Sequence, residues 1–356
     1  MYSHDRATEY GDWMVSPTSR ATITDVAQLA GVAISSASAA LNDRPGVSEE
    51  TRARVQQAAR KLRYVPSVRG KSLSSKRAYA VGLIVERDFS VIEHDPFFGA
   101  FIGGVEESLG PRGYALLLQV VQDATASSEK HLELIASSRV DGLLLSELRV
   151  NDLRVAAMAE RGISAVGVNP GPGFPFPSVV QDSGAAIREL ALHLHTQGHT
   201  RIAYVSGPLD YVHSIDRLTT WRQALATRNL AGAGFFEGDF THAGGVAAAD
   251  VLLSQSVRPT AVFCANDLMA IGFINRAVEL GLQVPEDISV AGFDGISLGT
   301  YIRPTLTTIS TDPHELGRRA AGLLLATIDG HELADASLSP SSLIVRHSTS
   351  PVSALT

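Results

Sequence analysis

The residues whose types and spacing could do chemistry are few in this chain. His193, His195 and His199 (HLHTQGH) resemble a metal-binding run. On a helix, however, residues two apart point about 200° away from each other, so His193 and His195 cannot share one ligand sphere. The NPGPGFP stretch at 169–175 is broken by prolines and is not the GxGxxG after a strand that a dinucleotide pyrophosphate needs. Cys264 stands alone, which excludes an intramolecular disulfide and a cysteine-built zinc site. There is no Walker A motif and no GxSxG nucleophile elbow, and Asp210, Asp216 and Asp294 form no recognisable acid–base pair. Neither a cofactor, a metal nor an enzymatic activity is expected. What remains is charge. Between Arg20 and Ala78, 11 Lys/Arg face 4 Asp/Glu, while residues 79–356 carry 18 against 30, so the overall net charge of -7 hides a basic head on an acidic body. That pattern suits a nucleic-acid module joined to something else.

The elements that would carry the basic head are three short helices. Thr22 is a good N-cap for a helix with Asp25 at the reciprocal capping position and Gly31 as its stop. Ile23, Val26, Ala27 and Ala30 give it one apolar face. The second helix covers about Ile34 to Leu41. The third begins at Ser48, has Glu49 and Glu50 first and Lys61 and Arg63 last, as the helix dipole favours, and is expected to end at Pro66. Two helices around a tight Ala30-Gly31-Val32 turn on the most basic stretch predict a helix-turn-helix that sets small polar side chains into a DNA major groove.

From about Tyr79 the texture changes. Short apolar runs (AYAVGLIV, YALLLQVV, GLLLS, ISAVGV, RIAYVSG, TAVFCAN, ISVAGF) alternate with helical segments, the signature of βαβ units and parallel sheets. The fold class is therefore α/β, with a small all-α head and a body too long for one doubly wound sheet, so two lobes with a cleft between them. Between head and body, PSVRGKSLSSKRA reads as a marginally helical linker. Residues 1–20 show no period and are expected to be disordered. The N-terminus has no basic n-region and no apolar h-region, and no run reaches the roughly 18 apolar residues of a membrane span. The expected compartment is the cytoplasm, with no membrane partner.

The stretch ATITDVAQLAGVAISSASAALNDRPGVSEETRARVQQAARKLRYVPSVRGKSL, followed by PFFGAFIGGVEES, VDGLLL, QGHTRIAYVSGPL, CANDLMAIG, VPEDISVAGFDGI and PTLTTI, resembles the LacI/GalR (lactose-repressor) family of regulators over all but the first 20 residues. The resemblance implies a helix-turn-helix DNA-binding domain at 21–66, a hinge at 67–78 and a periplasmic-binding-protein-like body at 79–351. Its N-lobe would hold about 79–181 and 312–340, and its C-lobe about 182–310 and 341–351. Ile34, Ser35, Ser36, Ser38 and Ala39 then fall on the recognition helix. Thr22, Asn42, Ser48, Thr51 and Tyr64 fall where phosphates are gripped, contacts that position the protein without reading sequence. Leu73 matches a hinge leucine wedged into the minor groove, with Arg69, Lys71, Lys76 and Arg77 around it.

For the body, the resemblance implies an effector in the cleft, bound by Phe97, Phe98, Asn169, Arg217, Phe240, Asn266 and Asp294. A sugar or a nucleoside-like ring suits an arginine and an aspartate, which can make bidentate hydrogen bonds, and phenylalanines, which can stack. It also implies a homodimer on a pseudo-palindromic operator and a role as repressor. The tail STSPVSALT has no leucine heptad that would add a tetramer. Three departures stand out. Ala33 replaces a hydroxyl at the recognition-helix cap, worth about 1 kcal/mol unless Ser35 or Ser36 starts the helix later. Ala39 removes an arginine that could grip guanine. Gly70 replaces a hinge alanine, costing a helix roughly 0.5–1 kcal/mol. A transport solute-binding protein would share the body but not the head, and a sugar-active enzyme would need an acid–base pair that is not visible.

Overall fold

The computed structural model describes residues 21–42, 44–65, 75, 77–87, 89–331 and 333–352. The expectations for residues 1–20 and for Pro66, Arg69, Gly70, Lys71, Leu73 and Lys76 lie outside them. The chain divides at Arg77/Ala78 into a head and a body.

The head is three helices: α1 (Ile23–Ala30), α2 (Ile34–Leu41) and α3 (Glu49–Lys61). Thr22 and Asp25 close the capping box reciprocally, and Gly31 ends α1 at φ 67, a left-handed conformation that needs no Cβ. Ala33 caps α2 with no side-chain bond, and Ser35 and Ser36 lie inside the helix, so the missing hydroxyl is not replaced further along. The core is small-residue packing of Val26, Ala27 and Ala30 with Ala37, Ala40, Val55, Ala58 and Ala59. One expectation needs correction. The third helix stops at Lys61, well before Pro66, because Arg63 turns left-handed at φ 50 and the Tyr64 N–H folds back to the Ala59 carbonyl at 2.9 Å.

Among the described residues the body holds twelve strands. These are β1 (Ala80–Glu86), β2 (Ala115–Val121), β3 (Gly142–Leu145), β4 (Ala165–Val168), β5 (Ser178–Val180), β6 (Ile202–Ser206), β7 (Gly232–Glu237), β8 (Ala261–Cys264), β9 (Ser289–Asp294), β10 (Thr307–Ser310), β11 (Ala336–Ser337) and β12 (Ser342–Ile344). They form two six-stranded sheets, ordered β11-β5-β4-β3-β1-β2 and β12-β10-β9-β8-β6-β7. The two orders correspond strand for strand. The chain crosses between the sheets after β5, after β10 and after β11. The pairings are parallel except β10 with β12, which is antiparallel, so the second sheet is not purely parallel as expected. The returning strand β12 enters from the other lobe and runs back along the edge.

Alternate residues of the central strands feed opposite faces. Leu83, Val85 and Leu144 pack into one core with Phe98 and Phe101, and Ile84, Leu143 and Leu145 into another with Met158. Burial on both faces is why these strands read as unbroken apolar runs. The second lobe has one large core around Tyr204, Trp221, Phe263, Phe273 and Phe293. Each lobe also contains a helix pair in backbone contact. Between Pro96–Leu109 and Pro313–Ile328, a Cβ on Gly104 would lie 1.9 Å from the His314 carbonyl oxygen. Between His242–Leu253 and Asp267–Glu279, a Cβ on Gly245 would lie 2.1 Å from that of Met269. Among the described residues no helix is long and apolar enough to cross a membrane.

Candidate nucleic-acid interface and ligand cleft

On the head, α2 turns Ile34 and Ser35 outward and keeps Ala37 and Ala40 in the core, with Ser36, Ser38 and Ala39 half-buried between. Ile34 is 50 % exposed, an apolar contact surface at the first helical position. The remaining candidates sit at helix ends. The Thr22 hydroxyl donates to Asp25 Oδ2 at 2.8 Å, and the Ser48 hydroxyl donates to Thr51 Oγ1 at 3.0 Å. Asn42 donates from Nδ2 to the Ser38 carbonyl at 2.8 Å, closing α2. Tyr64 is half-buried against the helical core. Exposed helix N-termini at Thr22 and Ser48 present N–H groups and a positive dipole end, the chemistry of a phosphate seat. A residue that the sequence did not single out is Arg52. Its guanidinium donates to the Ala40 carbonyl at 3.2 Å and to the Arg44 carbonyl at 3.1 Å, so it ties α3 to the end of α2.

In the body, a cavity between the lobes is lined by Phe97, Phe98, Arg217, Phe240, Asn266 and Asp294, six of the seven expected residues. It is also lined by Leu83, Val85, Arg87, Asp95, Phe101, Ser146, Glu147, Val168 and His213. The seventh, Asn169, is not in this lining, because its side chain accepts from the Gln181 N–H at 2.9 Å at the start of a crossover. Asn266 lines the cleft, yet both ends of its amide are engaged. Its Oδ1 accepts from Met269 N–H at 3.0 Å and its Nδ2 donates to the Phe240 carbonyl at 2.8 Å. It holds Phe240 in place more than it faces a ligand. Phe240 stands at φ 67 and Asp294 at φ 110, strained conformations for residues with a Cβ, of the kind that concentrate at functional sites.

The polar walls come from both lobes. Arg87 is ion-paired with Glu147, and its guanidinium lies 4.5 Å from the Tyr211 ring and 5.0 Å from the Phe240 ring. His213 is stacked between Tyr211 and Phe240, each 5.5 Å away, and burial keeps its ring neutral by pulling its pKa well below the usual value. Arg217 donates to the Ala265 carbonyl at 2.8 Å, and its guanidinium carbon lies over the Phe293 ring, 3.8 Å from the ring centre. Asp95 caps its helix through the Phe97 N–H at 3.0 Å. Asp294 is 9 % exposed, and among the described residues no hydrogen bond engages its carboxyl. Burial pushes its pKa well above the ordinary range, opposed by Arg217 and reinforced by the negative charges of Asp95 and Asp267. Sequence reasoning missed Arg87, Ser146 and Glu147, which follow strand ends, and Asp95 and His213, which stand at helix N-termini, all without a motif of their own.

Two of the three histidines of the HLHTQGH run have protein partners, while among the described residues His195 Nδ1 is buried without one. His193 Nε2 meets Thr349 Oγ1 at 3.0 Å, and buried His199 bridges Thr260 Oγ1 and the Ser350 carbonyl, both at 3.0 Å.

Residues 22–67 match the family model for bacterial regulatory proteins of the lacI family, and residues 191–349 match a periplasmic binding protein-like domain. The chain is 34% identical over 312 residues to the HTH-type transcriptional repressor PurR of Aliivibrio salmonicida, covering 86% of this chain and 92% of the relative. It is 35% identical to the ribose operon repressor of Escherichia coli K12, covering 86% and 93%. The chain belongs to the lacI family. The lac repressor dimer bound to operator and the anti-inducer ONPF superposes with a TM-score of 0.81 at 28% identity, covering 93% of this chain and 99% of that one. The regulator CelR in complex with cellobiose gives 0.71 at 31% identity, covering 92% and 100%. This lacI-family chain is thus a DNA-binding transcriptional regulator with an effector-type body, in a family that regulates rather than catalyses.

Proposed function

We propose that the protein is a cytoplasmic homodimeric repressor whose affinity for a pseudo-palindromic operator is set by an uncharged, polyhydroxylated small molecule, a sugar first of all, held between the lobes. Two heads on one dimer would reach successive major grooves about one helical turn apart. The observation that carries the ligand class is the Asp294 carboxyl, buried and unengaged in the cleft beside Arg217. A buried carboxylate without a partner is costly and is relieved by donors brought by a ligand.

The balance of charge narrows the class. Arg87 and Glu147 neutralise each other, which leaves Asp95 and Asp294 against Arg217. Burial also favours the neutral form of Asp294, so no surplus positive charge is left in the cleft. A phosphate or carboxylate on the ligand would bring an unpaired charge into a poorly hydrated site. Hydroxyl groups can donate to the aspartates and accept from Arg217, while Phe97 and Phe240 offer apolar faces to a ring. The relatives named for ribose and bound to cellobiose are consistent with such chemistry.

A thermal-shift panel pairing each neutral sugar or nucleoside with its phosphate tests this reading. A neutral compound is expected to raise the melting temperature, since a ligand at 100 times its Kd adds about 2.7 kcal/mol, and its phosphate is expected to do nothing. Asp294→Asn should abolish that shift while leaving the unliganded protein at least as stable. A response to phosphates alone would reverse the assignment.

A further inference from the structure

Outside the cavity lining, the two lobes are joined a second time. The segment after β3 runs antiparallel to the segment after β6, bridged at Arg149 and Tyr211. The Val150 N–H donates to the Asp210 carbonyl at 3.0 Å, and the Val212 N–H donates to the Leu148 carbonyl at 2.9 Å. These main-chain bonds link lobes that are otherwise covalently connected only at the three crossovers. The side chains reinforce them. Arg149, from the first lobe, is ion-paired with Asp210 of the second and with Glu86 at the end of β1. Its guanidinium lies 4.8 Å from the Tyr211 ring, and the Tyr211 hydroxyl donates to the Glu86 carbonyl at 3.3 Å.

We propose that Arg149 and Asp210 form a latch across the lobes that sets how readily the body closes, and through closure the affinity for the cleft ligand, without touching that ligand. Arg149 lines a different cavity, with Val150, Leu153 and Phe174, that shares no lining residue with the ligand cleft. The two sides meet at Tyr211. Arg87, which lines the cleft, lies on the same ring as Arg149. Displacement of Arg87 by a ligand would be felt by the latch through that ring, which both guanidinium groups share as a cation–π partner.

The geometry also ranks the partners. Asp210 is half exposed, with 47% side-chain accessibility, whereas Glu86 is at 7%. Breaking the Asp210 contact therefore removes an interlobe attraction without stranding a buried charge, while removal of Arg149 leaves Glu86 buried and unpaired. A ligand that binds only the closed form loses apparent affinity by the fraction of molecules that open.

The test follows closure directly. It rests on the reading of the cleft as the ligand site only for its affinity arm. Donor and acceptor dyes on Glu129→Cys and Ser256→Cys, one in each lobe, report the interlobe distance in the full chain without ligand. Asp210→Asn and Arg149→Ala are expected to lengthen and broaden that distance, with Arg149→Lys restoring part of it. In the wild type the distance should lengthen with salt, and in Asp210→Asn it should be flat. Where the panel yields a ligand, its Kd should rise about 2–5-fold in Asp210→Asn, the range of half-exposed pairs. If both variants leave the interlobe distance unchanged and lower only the melting temperature, the latch is refuted and Arg149 is merely structural. If the distance shifts as expected but no panel compound binds, the latch stands and the ligand assignment fails.

Discussion

At the scale of single residues, chemistry was legible where a motif fixed both identity and neighbours, and illegible where the neighbours arrive from elsewhere in the chain. Asp294 and Arg217 could be named from the sequence. The fact that Asn266 serves Phe240, and that Arg87 is paired with Glu147, depends on contacts between distant segments. Asn266→Ala should therefore lower stability by about 1–2 kcal/mol, through the lost helix cap and the unsatisfied Phe240 carbonyl, as read by urea denaturation. A ligand defect without a stability loss would return Asn266 to direct contact. His131 offers a pH prediction. It is fully buried with Nδ1 on the Ser127 carbonyl at 2.7 Å, and burial pulls its pKa from 6.5 to about 4, partly offset by that carbonyl. Because the unfolded chain takes up this proton below about pH 6.5 and the folded chain only near pH 4, its contribution is full above 6.5 and fades between those values. Relative to His131→Gln, the wild type should lose on the order of 3 kcal/mol across that window. Parallel pH profiles for the two proteins would contradict this.

At the scale of elements, the seven apolar runs named from the sequence became β1, β2, β3, β4, β6, β8 and β9. All of these but β2 are interior strands whose burial on both faces demands continuous apolar residues, while β2 is an edge strand with only Val121 buried. The others left no such mark. β7 begins on glycine and keeps Phe235 41% exposed at a sheet edge, and β5, β11 and β12 are only two or three residues long. Their pairing is set by the crossovers rather than by their own composition. The end of α3 was likewise hidden, since the left-handed turn falls on Arg63 and not on a glycine. Helix contacts give a paired prediction within one helix. Gly103 has only a His314 ring carbon 3.7 Å from a built Cβ, whereas Gly104 meets the His314 backbone. Gly103→Ala should stabilise by about 0.5–1 kcal/mol, and Gly104→Ala should cost about 1–3 kcal/mol by forcing the helices apart. Equal effects in denaturant titrations would mean that the close approach at Gly104 does not matter.

At the scale of the whole molecule, the charge split between head and body was legible from counting alone, and it agrees with a DNA-binding head on an effector-binding body. The unread part is the coupling between them, because it depends on how a cleft responds to what fills it. Effector and operator affinities must then be reciprocally linked, typically by 1–3 kcal/mol. The decisive measurement is a titration of a pseudo-palindromic promoter fragment from the protein's own chromosome, with and without the neutral compound that stabilises the body. For the wild type, the operator Kd should change by about 5–150-fold on adding the compound, and for Asp294→Asn it should not change at all. An operator Kd that is identical with and without a compound proven to occupy the cleft would contradict ligand control of DNA binding outright.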